Sequence, residues 1–150
     1  DRTGKKISHK NRAQQSFSWI IYKWLADSLR QDKRITFDIA EGADLYVDVY
    51  NTRFMLSHGD GFRSSGGIGG IYPALLKWVG RKHAKLPFDH VIIGHWHQLI
   101  YHPTAFVNGS LKGYDEYASN NGFGYEPAQQ MLFIVTPERG VTWKSSAFAD

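Results

Sequence analysis

Two histidines separated by one residue follow a short apolar run in the second half of the chain. The run Val91–Ile93 is typical of a buried strand, and Gly94, His95, Trp96 and His97 come directly after it. In extended backbone, side chains two positions apart point to the same side, so His95 and His97 are predicted to converge. Imidazole is a common metal ligand, and open α/β sheets place their chemistry at this end of the strands. The alternative is a pair of surface histidines in a turn.

A third histidine stands at the end of a second predicted strand. Residues 52–57 lead into His58, Gly59, Asp60 and Gly61, and the glycines allow backbone and ligand to approach closely. Two strand ends therefore deliver imidazoles, and the pattern predicts a metal site built from His58, His95 and His97.

These blocks resemble those of the calcineurin-like metallophosphoesterases, in which a strand-HG turn is followed by a GHxH motif. His58-Gly59 and Gly94–His97 match the two blocks in order. The Gly-Ser turn that often follows the next strand in that family has a counterpart at Asn108–Ser110. The combined pattern is most similar to phage-type members, and the resemblance covers most of the chain after about Arg34.

The resemblance implies phosphoester hydrolysis at two divalent cations (Mn, Ni, Zn or Fe). Such a pair polarises the phosphoryl oxygens and lowers the pKa of a bridging water, which attacks in line. By residue-for-residue match, His58 and His95 would bind one cation and His97 the other. The family's DxH, GD and GNH[DE] blocks do not occur in the sequence.

Asp1 resembles the residue that completes GNH[DE] and would at most orient the histidine before it. Residues 1–150 are therefore expected to be the C-terminal part of the domain, with a separate N-terminal segment as a partner; the alternative is a complete protein with a fortuitous Asp1. The expected fold class is α/β, the C-terminal half of the family's α/β/β/α sandwich. The chain alone should be inactive, because three imidazoles without a bridging carboxylate hold two hard cations poorly. Exposed apolar strand edges and faces should favour self-association.

The substrate implied is a phosphoester, and two arginines are predicted to bind its phosphate. Arg2 follows the implied active-site turn, and Arg63 lies in a glycine-rich loop, residues 59–70. The alternative for Arg2 is a solvated surface charge, and the alternative for the loop that carries Arg63 is a plain flexible connection. The formal net charge of +4 and the polar-aromatic stretch 112–124 favour DNA or RNA as the substrate.

Composition sets the class of protein. The chain has 150 residues, 42% hydrophobic and 21% charged, which fits one globular domain. It contains no cysteine, which excludes disulfides and Cys-based zinc sites. With no apolar run of transmembrane length and no signal-peptide pattern, we expect a cytoplasmic location and no membrane partner.

Two other functions stay open. A degenerate domain of the same fold could bind nucleic acid or protein without catalysis, through its basic and aromatic residues. The three histidines could also form a mononuclear catalytic zinc site, since three protein ligands plus water is a known arrangement. Hydrophobic periodicity predicts helices over about 11–32 and 72–85, and strands over 34–39, 43–50, 53–57, 91–93, 99–102, 105–108, 130–136 and 141–144.

Overall fold

The computed structural model describes residues 14, 16–64 and 69–149, and these divide into two compact units between Leu45 and Tyr46. The helices are α1 (Phe17–Ser28), α2 (Tyr72–Lys85) and α3 (Glu116–Asn120). The strands are β1 (Asp44–Val49), β2 (Thr52–Ser57), β3 (His90–Ile93), β4 (Ile100–Tyr101), β5 (Ala105–Val107), β6 (Gln129–Thr136) and β7 (Gly140–Phe148). Within the described ranges, no helix combines the length and apolar character needed to cross a membrane.

The first unit contains α1 and an irregular segment in place of a predicted strand. The hydroxyl of Ser16 caps α1 by accepting the Trp19 N–H at 3.1 Å. The strand predicted over residues 34–39 is wrong, because the chain there has no regular structure. The Asp32 carboxylate accepts the backbone N–H of Arg34 at 3.0 Å and its guanidinium at 2.9 and 2.6 Å. Such local side-chain bonds compete with strand formation at the start of the segment.

The second unit contains a mixed sheet whose centre is parallel. The strand order is β1-β2-β3-β5-β4; β2, β3 and β5 are parallel, and β4 is antiparallel to β5. Helix α2 connects β2 to β3, as expected for a parallel pair. This topology confirms the predicted α/β class.

The two faces of this sheet are covered by different elements. Helix α2 starts with a proline in its first turn, as its fixed φ favours, and buries Leu75, Trp78 and Val79 on one face. These side chains pack with the strand residues that point the same way, namely Met55, Val91, Ile93, Ala105 and Val107. On the other face, Phe54 and Phe106 contact Phe133 of β6, with ring centroids 5.6 and 5.5 Å apart. The sequence therefore folds into two packed sheets with a helix outside the first.

The second sheet is the β6–β7 hairpin, and it is longer than predicted. β7 extends to Phe148, which pairs with Gln129, and a register shift falls between Ile134 and Val135. The sequence did not predict α3, which lies in the stretch 112–124. Asp115 caps this short helix by accepting the Ala118 N–H at 2.9 Å.

His90 is packed between aromatic rings in the space between the two sheets. Its ring stacks on Phe54 at 5.6 Å and on Phe106 at 4.9 Å. Burial lowers the pKa of His90 below its usual 6.5; Lys144 lowers it further, while a hydrogen bond to the Pro103 backbone and the charge of Asp89 oppose the shift.

The lowered pKa of His90 predicts a loss of stability in acid. Below pH 6.5 the unfolded chain takes up this proton before the folded chain does, so the free energy of unfolding falls as pH falls. Above pH 6.5 the contribution is complete. His90→Phe keeps a ring at this position and should flatten the pH dependence measured by urea unfolding between pH 7.5 and 5. The same change at His102, in the turn before β5, is the control, and an equal flattening there would contradict the assignment.

Candidate metal site

Two parallel strands bring His58 and His95 together. His58 follows β2 directly, and His95 follows β3 after Gly94, with Ser57 and Ile93 in register at the strand ends. The Nε2 atom of His58 and the Nδ1 atom of His95 lie 3.2 Å apart, and the rings meet edge to face at 5.0 Å. Both side chains are exposed. The pair is therefore accessible at the carboxyl ends of adjacent strands, where the sequence predicted it.

A glycine makes this close approach of the two turns possible. Gly59 has φ +101°, and a Cβ atom there would lie 2.7 Å from the carbonyl oxygen of Gly94. The Gly94 N–H also donates to the His58 carbonyl at 3.2 Å, which continues the β2–β3 ladder into the site. Any larger residue at position 59 would push the two histidine turns apart.

His95 is held in a strained turn. Its φ is 71°, and the Trp96 N–H donates to the Gly94 carbonyl at 2.9 Å, closing the three-residue ring of a γ-turn that non-glycine residues rarely adopt. The Trp96 side chain secures this turn. Its Nε1–H donates to the Gly59 carbonyl at 3.0 Å, and its ring stacks on Phe62 at 4.9 Å. The contacts of Trp96 thus offset the backbone strain at His95, and strain that is held in this way is common at functional sites.

The separation of the two ring nitrogens suits either of two arrangements. Two neutral imidazoles at 3.2 Å can share one hydrogen bond if one donates and the other accepts. Two imidazoles on one tetrahedral cation, with metal–nitrogen distances of about 2.0–2.1 Å, would hold their nitrogens about 3.3–3.4 Å apart. The separation of the two nitrogens is therefore compatible with one shared divalent cation as well as with one hydrogen bond.

Among the described residues, His97 does not complete a three-ligand metal group with this pair. Its φ is 54° and that of His95 is 71°, so the segment after β3 is not the extended backbone on which the predicted convergence of His95 and His97 was based. The half-buried His97 ring instead lies 6.1 Å from the Tyr117 ring and 6.2 Å from the Phe123 ring. The assignment of His97 as a metal ligand stays a prediction.

The two-cation centre implied by the family resemblance does not fit the described residues. Among them, no group of three or more histidine, aspartate or glutamate side chains is arranged to hold a metal ion. Arg63 is exposed in the segment after β2, and its predicted contact with a phosphate stays a prediction. Asp1 and Arg2, predicted to orient a histidine and to bind phosphate, lie outside the described residues.

The sequence did not identify Trp96 and Asn108 as residues that shape the site. The x of GHxH supplies the ring that fixes both turns, and a large aromatic at that position was the available signal. Asn108 follows β5 and donates from its backbone N–H to Ile93 at 2.7 Å. Its side chain bonds Gln130 at 2.7 Å and the Met131 N–H at 2.8 Å, which ties the end of the first sheet to β6.

Comparisons with protein-family models and with curated protein sequences find no match. Among solved structures, the chain is similar to wild-type Vps29 from Entamoeba histolytica complexed with zinc, with 16% identity and a TM-score of 0.46 over 84% of this chain and 76% of that one. A single mutant of the same protein gives 17% identity and a TM-score of 0.47 over 85% and 77%. Vacuolar protein sorting 29 from Cryptosporidium parvum gives 15% identity and a TM-score of 0.42, over 79% of this chain and 63% of that one. The α/β class follows from the strand order itself.

Proposed function

We propose that this chain is part of a metal-dependent phosphoester hydrolase in which His58 and His95 bind one divalent cation. The observation that carries the proposal is the 3.2 Å separation of their ring nitrogens at the ends of two parallel strands. A divalent cation bound there would act as a Lewis acid on a phosphoryl oxygen. Imidazole nitrogens suit Zn and Ni best, and the family resemblance adds Mn and Fe.

The remaining parts of the centre are proposed to lie on an N-terminal segment that carries the DxH, GD and GNH blocks. His97 is the proposed ligand of a second cation, and Arg2 and Arg63 are proposed to bind the substrate phosphate. The exposure of both imidazoles and of Arg63 supports the access that such a substrate needs. The residues that the structure describes offer two donors at one point, which is too few for a two-cation mechanism.

Turnover by the complete open reading frame tests this proposal. We expect the sequence upstream of Asp1 to contain the three blocks, and the whole protein to hydrolyse a chromogenic phosphodiester in the presence of Mn or Zn. His95→Ala should lower kcat by at least about a hundredfold, since even the outer partners of metal ligands are worth 10–100-fold. His102→Ala, remote from the pair, should leave kcat unchanged. The proposed hydrolase activity would be refuted if the upstream sequence lacked the three blocks, or if His95→Ala and His102→Ala turned over the substrate equally fast.

The substrate class is tested in the same assay. If the basic composition serves to bind a nucleic-acid substrate, cleavage of single- or double-stranded DNA should be faster than hydrolysis of the chromogenic ester at low salt. The rate of DNA cleavage should then fall steeply as the salt concentration rises. The Lys112 ammonium is already paired with Asp115, so the aromatic stretch contributes less free positive charge than the sequence suggests.

A second function, binding without catalysis, is favoured by a different observation. The outward face of the β6–β7 hairpin exposes Leu132, Ile134 and Trp143, with Ile134 and Trp143 directly paired across the strands. Exposed apolar clusters of this kind mark interaction surfaces. The absence of turnover together with an upstream sequence lacking the three blocks would favour this function. Self-association through exposed apolar faces stays a prediction.

A further inference from the structure

A groove lies at the end of the first sheet opposite to the two imidazoles. Its volume is about 400 Å³, and it is formed where β1 ends, β2 and β3 begin, and α2 leads into β3. Arg53 and Asp89 stand at the starts of β2 and β3, whereas His58 and His95 follow the ends of the same parallel strands. The groove is therefore separate from the candidate metal site.

Two carboxylates and one guanidinium set the charge of this groove. The Asp48 carboxylate accepts hydrogen bonds from the Nε and Nη2 atoms of Arg53, at 2.7 and 2.9 Å. Both carboxylate oxygens therefore contact the same cation. Asp89 accepts the Arg53 backbone N–H at 2.7 Å and returns its own N–H to the Arg53 carbonyl at 2.9 Å. The Asp48 carboxylate raises the pKa of Arg53 and is itself held ionised by it. With the guanidinium already engaged, the groove disfavours a phosphate and carries an excess of carboxylate, although the whole chain is basic.

Aromatic rings line the same groove, and one of them is presented at a conformational cost. Tyr50 opens the two-residue connection between β1 and β2 with φ 54°, at a position where hairpins prefer glycine. Its side chain is 63% exposed, so burial of the ring does not offset this strain. His83 also lines the groove with an exposed ring, which meets the buried Phe88 ring edge to face at 5.4 Å. Ring faces beside carboxylates attract cations, and most strongly a planar guanidinium.

We propose that this groove binds the arginine side chain of a basic peptide, with Asp89 facing the guanidinium and Tyr50 covering it, while Asp48 stays paired with Arg53. An arginine suits the site better than a lysine because it can stack on a ring and donate to a carboxylate in the same plane. The partner is thus a protein segment rather than a nucleic acid.

An NMR titration of the full chain with a short peptide containing one arginine tests the proposal. We expect saturable shifts of the backbone amides of Arg53 and Asp89, and at least tenfold weaker binding of the twin peptide in which citrulline replaces arginine. Asp89→Asn should weaken binding while its amide oxygen still accepts the Arg53 N–H. Tyr50→Gly should weaken binding and raise the melting temperature, which separates loss of the ring from loss of the fold.

Matched controls keep the test specific. Asp32→Asn removes the same charge from another exposed aspartate–arginine pair, with Arg34, and should leave binding unchanged. His95→Ala should also leave it unchanged, since the metal site is at the other end of the strands. Equal binding of the citrulline peptide, no effect of Asp89→Asn and Tyr50→Gly, or shifts of the same amides by a single-stranded DNA oligonucleotide would each overturn the proposal.

Discussion

Phe106→Ala is expected to lower the free energy of unfolding by about 3–5 kcal/mol, as for other large-to-small changes at fully buried aromatic positions. Phe106 has no exposed surface and stands at the centre of the space between the two sheets. Its ring contacts His90 at 4.9 Å and Phe133 at 5.5 Å, and Lys144 lies over it at 4.8 Å. Removing the ring leaves a cavity where strands from both sheets meet, and neither sheet can close it without losing its register.

Urea unfolding followed by tryptophan fluorescence measures this loss, and Phe148→Ala is its matched control. Phe148 carries the same ring but is 63% exposed at the end of β7, so its removal should change the free energy of unfolding by no more than about 0.5 kcal/mol. If Phe106→Ala does not fold at all, Phe106→Leu should still fold and lose less. Equal costs at positions 106 and 148 would contradict the packing of the hairpin on the first sheet.

The fold was predictable where one pattern dominated a long segment. The apolar spacing of α2, the alternation in β1 and the continuous apolar run Met131–Val135 in β6 each extend over enough residues to determine the element. Residues 34–39 alternate too, but the bonds between Asp32 and Arg34 close a local turn just ahead of them. Helix α3 has only five residues and depends on the Asp115 cap and on tertiary packing, which no periodicity can reveal.

The candidate site was predictable only as far as strand ends determine it. His58 and His95 meet because parallel strands deliver their carboxyl ends to one edge, which the order of motifs already indicated. The position of His97 depends on two left-handed residues and on the side chain of Trp96, none of which follows from a period of two. Backbone strain of this kind becomes visible only in three dimensions.

Titration with Zn or Ni is expected to show one weak site per chain that requires both histidines of the pair. His58→Ala and His95→Ala should each weaken binding by at least about tenfold, or 1.4 kcal/mol, because each removes one of two converging donors. His102→Ala is the control: it also removes an imidazole, from a turn where that ring contacts Thr104. Unchanged affinity in His95→Ala, measured by calorimetry, would remove the chemical basis of the proposed hydrolase.

His97→Ala separates the two roles open to that residue. If His97 is a ligand, as the GHxH spacing predicts, its removal should weaken metal binding in the chain and abolish most turnover in the whole protein. If its ring serves to pack α3, through Tyr117 and Phe123, the affinity should stay while the melting temperature falls. The same calorimetric and thermal measurements on one variant distinguish these outcomes, because a ligand at an exposed strand end contributes little to packing, whereas a half-buried ring beside two aromatics contributes mainly to it.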